Sequence, residues 1–178
     1  MEYFRKMKGI TKSPPAVSKT EIFWSWIGAF LGISLVGLAH FKLLAGSSMI
    51  MLIGSFGASA VLIYGATRSP LAQPRNLIGG HILSAVIGVA SFQMLGQIPW
   101  LSSAFAVATS IAVMHLTKTL HPPGGATALI AVIGGDQVHN LGYMYAFIPA
   151  GSGALIMLIV ALLVNNIPKT RKYPEFWI

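Results

Sequence analysis

A histidine, two prolines and two glycines open the run HPPGGATALIAVIGG at residues 121–135. This order suits the capture of a small anion. Pro122 and Pro123 lack a backbone N–H and fit the first turn of a helix, so a helix is expected to begin at one of them. Gly124 and Gly125 let a ligand or a second backbone come close. The first amides of a helix have no internal partner, and its N-terminus carries roughly +0.5 charge. Inside a membrane something other than water must satisfy those amides, and an anion would do so. Thr127, two positions past Gly125, adds a hydroxyl. The same run also reads as a tight turn between two apolar segments.

The motif has a counterpart 68 positions earlier: GASAVLI at 57–63 parallels GATALIA at 125–131. Each follows a break, GSFG at 54–57 and HPPGG at 121–125, and each precedes an Asn-Leu pair, at Asn76 and Asn140. Two readings fit, a chance likeness of small-residue packing faces or a duplication of three segments. Three is odd, so a second copy would enter from the opposite side and give an inverted repeat. Two helix N-termini would together offset about one negative charge. The candidate substrate-binding residues are Ser55, Gly57, Ser59, His121, Pro122, Pro123, Gly124, Gly125 and Thr127. The expected ligand is a small inorganic anion.

Further candidates concern gating or proton coupling. SPLAQPRN at residues 69–76 holds two prolines and the donors Gln73, Arg75 and Asn76. It reads as an anion-collecting mouth or as the start of the next helix with Asn76 at the N-cap, while its arginines equally serve topology. His81, after Gly79 and Gly80, is an ionisable residue inside an apolar segment and so a functional candidate. His81 or His121 could carry a proton beside an anion, although a backbone-bonded histidine is the plainer reading of each. Lys118 shares a helical face with His115 and His121 only if a helix runs through Pro122. Asp136 is the sole acid between residues 22 and 174, which argues against paired-carboxylate chemistry. The chain has no cysteine. No metal constellation is visible, and neither a cofactor nor an enzymatic activity is expected.

The elements that must position these residues are membrane helices. Hydrophobic residues make up 54% of the 178 residues and charged residues 9%, against about 25% charged in an average soluble domain. Six apolar segments lie at about 23–43, 47–66, 76–96, 98–118, 121–135 and 141–164. Crossing roughly 30 Å takes about 20 residues; five segments reach this and the fifth does not. The net charge of +8 follows membrane topology rather than nucleic acid. With the N-terminus inside and six crossings, 11 of the 12 Lys and Arg fall on the cytoplasmic side, leaving Lys42 outside, as the positive-inside rule asks. A four-span arrangement, with segments two and five not crossing, also puts both ends inside. The chain divides into a basic cytoplasmic tail at 1–22, one transmembrane domain at 23–165, and a basic, aromatic cytoplasmic tail at 166–178. No cleavable signal is expected at the start. Trp24, Trp26, Trp100, Tyr143 and Tyr145 read as interface anchors, the end KTRKYPEFWI as a surface segment with Phe176 and Trp177 dipping in, and GSG at 151–153 as a packing face between subunits.

HPPGGATALIAVIGG, FGASAVLIYG at 56–65 and SPLAQPRNLIGGH at 69–81 together resemble the HPP family of integral membrane proteins. The resemblance covers roughly residues 20–165, and the family's His-Pro-Pro corresponds to His121, Pro122 and Pro123. Cyanobacterial and plastid members are associated with nitrite transport, so the resemblance implies a transporter or channel for nitrite or a similar monovalent anion. The family is usually described with four spans, against the six segments counted above. The expectation is an all-α membrane protein of six helical segments, a 3+3 inverted repeat with two Gly/Pro-broken helices, and four full spans as the alternative. A homodimer or homotrimer in a bacterial inner membrane is expected. A non-transporting scaffold or assembly subunit is the competing class.

Overall fold

A computed structural model describes residues 2–8, 11–47 and 49–178. Met1, Gly9 and Ile10 of the expected N-terminal tail, and Ser48 of the second apolar segment, lie outside the described residues. Ser18 starts the first long helix: its hydroxyl accepts the Glu21 amide at 3.2 Å, which caps one of the free N-terminal donors. This helix, α1, runs Lys19–Leu43 and widens into a π turn over its last five residues. The chain then doubles back. Residues 49–53 are apolar but not helical, and helix α2 begins only at Ser55 and ends at Gly65.

Helix α3, Pro74–Leu95, follows a short loop. Gln73 is extended and Pro74 occupies the first turn, the position a residue without an N–H fits best. The N-cap predicted at Asn76 therefore lies three residues earlier, at Gln73. Helix α4, Pro99–Leu116, ends in a reversal centred on Lys118, which has φ 56°. The Thr119 amide donates to Met114 O at 2.8 Å and the Lys118 amide to His115 O at 3.2 Å, the two bonds of a left-handed helix stop. Helix α5, Pro122–Ile133, starts where the double proline predicts. Helix α6, Gly142–Val164, is broken at Ile148, which is extended ahead of Pro149, as a residue before proline prefers.

Four helices of 18 to 25 residues, α1, α3, α4 and α6, are long and apolar enough to cross a membrane. α2 and α5 reach only about 17–18 Å. The four-span alternative is thus the one the helix lengths follow, with the second segment shorter than its hydropathy suggests. Length alternates long, short, long in α1–α3 and again in α4–α6.

Helix α3 is the hub and packs against α4, α5 and α6, while α1 packs on α2 and α6. Helix α3 meets α5 closely at Gly88, where an added Cβ would lie 2.6 Å from the Ala128 carbonyl oxygen and 2.7 Å from Ala131 Cβ. The neighbours along α3 also give depth. His121 lies beside Gly80, early in α3, and Ala131 beside Gly88, so α5 runs in the direction of α3 starting part-way across. α2 runs antiparallel to α5, with Ser59 bonded to His121 and Ser55 beside Thr127.

Two further expectations are corrected, and the tail gains contacts that the sequence did not show. Tyr145 is fully buried and donates to Thr127 O at 3.1 Å, so it is a core residue and not an interface anchor. Gly153 packs against the Phe56 ring of the same chain, not a second subunit. In the C-terminal tail, Arg171 and Tyr173 fold back onto the protein, while Phe176 and Trp177 are exposed. Arg171, with its side chain 2% exposed, donates to Glu21 Oε2, Glu21 O and Ser25 Oγ, each at 2.8 Å. Tyr173 donates to Ala72 O at 2.7 Å, and burial pushes its phenol above the usual tyrosine range.

Candidate functional site

Five buried polar side chains from α2, α3 and α5 meet in one continuous hydrogen-bonded group. His121 Nδ1–H donates to the Leu71 carbonyl at 2.8 Å. Its Nε2 lies 2.9 Å from Ser59 Oγ, which lies 2.7 Å from His81 Nε2. His81 Nδ1 lies 2.7 Å from Thr127 Oγ1, and the Thr127 and Ser55 hydroxyls are 2.9 Å apart. Ser59, His81, His121 and Thr127 are wholly buried and Ser55 is 1% exposed. The group is closed, so a ligand can reach it only after the helices around it move.

Local sequence explains the placement. His121 is the extended residue ahead of α5 and faces Gly80, where a Cβ would come 2.5 Å from that of His121. Gly124 in turn admits the Gly80 carbonyl, 2.8 Å from its own ideal Cβ. The two glycine pairs therefore let α3 and the α5 start approach until both imidazoles reach one serine. The Phe56 ring packs edge-on against His81 at 5.2 Å and the two imidazole centroids are 5.1 Å apart. Ser59 and Thr127, matched in the sequence comparison, hold opposite nitrogens of His81.

The helix starts differ from the simple picture of two open ends. In α5 the prolines remove two donors and the Gly124 amide bonds to His121 O at 2.8 Å. In α2 the Phe56 and Gly57 amides bond to Ile53 O and Gly54 O, leaving the Gly54 and Ser55 amides without an acceptor among the described residues. Gly57 and Pro122 are exposed on the outer face and Gly125 is half-buried, away from the cluster; Pro123 is buried and its carbonyl lies 3.3 Å from Thr127 Oγ1.

The remaining candidates form a separate layer nearer the tails. Arg75 donates twice to Lys118 O, and Asn76 Nδ2 donates to Leu120 O at 2.8 Å. Buried Gln73 donates to Thr67 O and Ser69 O and accepts the Glu175 amide at 2.8 Å. Lys118 offers its carbonyl while its side chain is exposed. Arg75 and Asn76 thus tie the 117–121 connection to the first turn of α3, Gln73 braces the 66–73 connection and the tail, and none of them bonds to the His-Ser cluster. Sequence analysis counted Arg171 only as a topology charge and passed over Glu21; with Arg68, Thr67 and Thr170 the two line a polar cavity of about 480 Å³ at the end of α2. Their separation by 150 positions gave no local signal. No group of three or more His, Asp or Glu able to hold a metal exists among the described residues.

Comparison with known proteins now bears on this arrangement. The family described as HPP, transmembrane region, matches residues 14–174. A transmembrane protein of Dictyostelium discoideum is 49% identical over 99% of this chain and 58% of its own length. A second from the same organism is 46% identical over 99% of the chain and 64% of its own length. The chain thus spans about three-fifths of the length of the curated relatives it matches. No solved structure matches it.

Proposed function

The chain belongs to the HPP transmembrane family, and from that premise we propose that it carries a small monovalent anion, nitrite foremost, across the membrane. One observation carries the reading: two histidines and three hydroxyls are buried together, between two half-length helices, in a chain with four membrane-length helices. Ionisable side chains at membrane depth mark transport pathways, and broken helices are where transporters bind their cargo. The group is rich in donors and holds no carboxylate, which favours an anion over a metal cation. The Gly54 and Ser55 amides at the start of α2, which have no acceptor among the described residues, add donors beside it.

The reading includes a 3+3 inverted repeat, with Ser59 and Thr127 as equivalent hydroxyls, both chain ends on the cytoplasmic side of a plasma membrane, and no enzymatic step. It also includes a homo-oligomer. The outer face of α2 is open, with nothing within 4 Å of an added Cβ at Gly57 and Val61 73% exposed, and Pro122 at the start of α5 is exposed as well. The same open face favours one competing reading, a scaffold subunit that packs on other membrane proteins.

The test is nitrite flux into liposomes holding only this chain. Saturable flux that falls in Thr127→Val is expected. Folded protein giving no flux above empty liposomes removes the transporter and leaves the scaffold. A chain that stays monomeric in mild detergent and in lipid removes the oligomer.

A further inference from the structure

The hydrogen-bonded group can be counted. Its five links are Leu71 O to His121, His121 to Ser59, Ser59 to His81, His81 to Thr127 and Thr127 to Ser55. Each link needs one hydrogen. With both imidazoles neutral, the two rings and three hydroxyls supply five. The Leu71 carbonyl cannot donate, so His121 must carry its hydrogen on Nδ1. Every other direction then follows. Ser59 O–H donates to His121 Nε2 and His81 Nε2–H donates to Ser59, so in the neutral group His81 Nδ1 must accept from Thr127 O–H. In the geometry seen here that hydroxyl donates instead to Ser55 Oγ at 2.9 Å and to Pro123 O at 3.3 Å. The neutral group therefore closes only when the Thr127 hydroxyl turns to His81; with Thr127 donating to Ser55, as seen, His81 Nδ1 must donate to Thr127, and the five links are filled by one extra proton.

From this count we infer that His81, Ser59 and His121 form a store for one proton, loaded and emptied only from the Thr127 side. A proton arriving at His81 Nδ1 makes that ring an imidazolium. Thr127 then accepts from His81, and its own hydrogen turns to Ser55 Oγ at 2.9 Å or to Pro123 O at 3.3 Å. The charge can pass on: His81 Nε2–H gives its proton to Ser59 as Ser59 gives its own to His121 Nε2, and all five links survive. It goes no further, because the acceptor beyond His121 is a carbonyl, which takes a hydrogen bond but does not relay a proton. A second proton does not fit. Two imidazoliums would both donate to Ser59, leaving its hydrogen without an acceptor, with two cations 5.1 Å apart inside the membrane. Among the described residues, the titratable groups in or against this network are the two imidazoles and the Tyr145 phenol, which bonds Thr127 O.

A store with one mouth binds a proton without conducting it. In the loaded state Ser55 Oγ, at the start of α2, accepts from Thr127 and keeps its own hydrogen free. If the chain carries an anion as proposed above, that hydroxyl becomes a donor for it only when the proton is in place. One proton then accompanies one monovalent anion.

The experiment is a solid-state nitrogen NMR titration of histidine-labelled protein in lipid bilayers, with the two rings assigned through contacts to Thr127 and Leu71. At alkaline pH, His121 is expected as the Nδ1–H tautomer and His81 as Nε2–H. On acidification the pair should take up a single proton shared over both rings. In Thr127→Val the protonated fraction at a given pH should fall about tenfold, since a hydrogen bond to a charged group is lost, and Thr127→Ser should restore it. A His121 Nε2–H tautomer, or two full imidazoliums in folded protein, overturns the store. So does a pH gradient across liposomes that this chain collapses without any permeant anion. A correct titration with no nitrite flux leaves the store standing and removes the transport reading.

Discussion

Substituting Gly88 with alanine tests the contact that holds α5 against α3. The new Cβ would sit 2.6 Å from Ala128 O, 2.7 Å from Ala131 Cβ and 2.9 Å from Ala128 Cα. None of these atoms can rotate away. Ordinary contact begins at 3.4 Å, so α5 must retreat by about 0.8 Å, and overpacking of this kind costs about 1–3 kcal/mol. Alanine also favours a helix over glycine by roughly 0.8–1 kcal/mol, which would mask part of the loss. Gly125→Ala supplies the control: it gains the same helix preference, yet its Cβ meets only Val107 Cγ1 at 3.8 Å. The difference between the two variants therefore isolates the steric cost of about 1–3 kcal/mol. Unfolding by SDS in mixed micelles, followed by tryptophan fluorescence, reads it. The same retreat would lengthen the His81–Thr127 link from 2.7 Å to about 3.5 Å, past hydrogen-bonding range. Equal unfolding midpoints for the two variants would refute the α3–α5 contact.

Three other outcomes are expected. Lys118→Gly relieves a left-handed residue and should stabilise the protein by about 1 kcal/mol; a lower SDS midpoint would show that the lysine side chain matters there. Arg171→Met strands Glu21 and frees the tail, at a cost near 3 kcal/mol for an ion pair buried on one side; limited trypsin cleavage at Lys172 should accelerate, and unchanged cleavage would refute the latch. The buried Tyr173 phenol stays protonated when a released one would ionise, so docking of the tail is complete below about pH 10 and weakens as pH rises beyond it. Tail release followed by proteolysis should show that alkaline rise, and Tyr173→Phe should abolish the rise while making the tail looser at neutral pH.

The sequence exposed what depends on composition and on short-range chemistry. Six apolar segments, the proline start of α5 and the candidate status of His81, His121, Ser59 and Thr127 were all legible there. The length of α2 was not, because residues 49–53 are as apolar as a helix and hydropathy does not distinguish an extended entry from a helical one. The joining of Ser59 to His81 and His121, across 22 and 62 positions, was not legible either; it depends on α3 and α5 touching through Gly80 and Gly124. Tyr145 misled because its ring suits an interface as well as a core, and only its burial tells them apart. Arg171 was read as a topology signal, which any tail arginine satisfies, whereas its partners come from α1.

The clamp that holds the 66–73 and 117–121 connections at the start of α3 has an evolutionary consequence. Arg75, Asn76, Gln73 and Tyr173 each supply a specific side-chain donor, but their acceptors at Lys118, Leu120, Thr67, Ser69 and Ala72 are main-chain carbonyls. Every residue type carries that acceptor. The clamp therefore constrains identity on only one side of each bond. Across descendants of this chain, selection on the clamp would hold the four donor positions while the acceptor positions drift, so long as the backbone keeps its path. A substitution record read without the structure would give the drifting positions no part in a contact that they in fact complete.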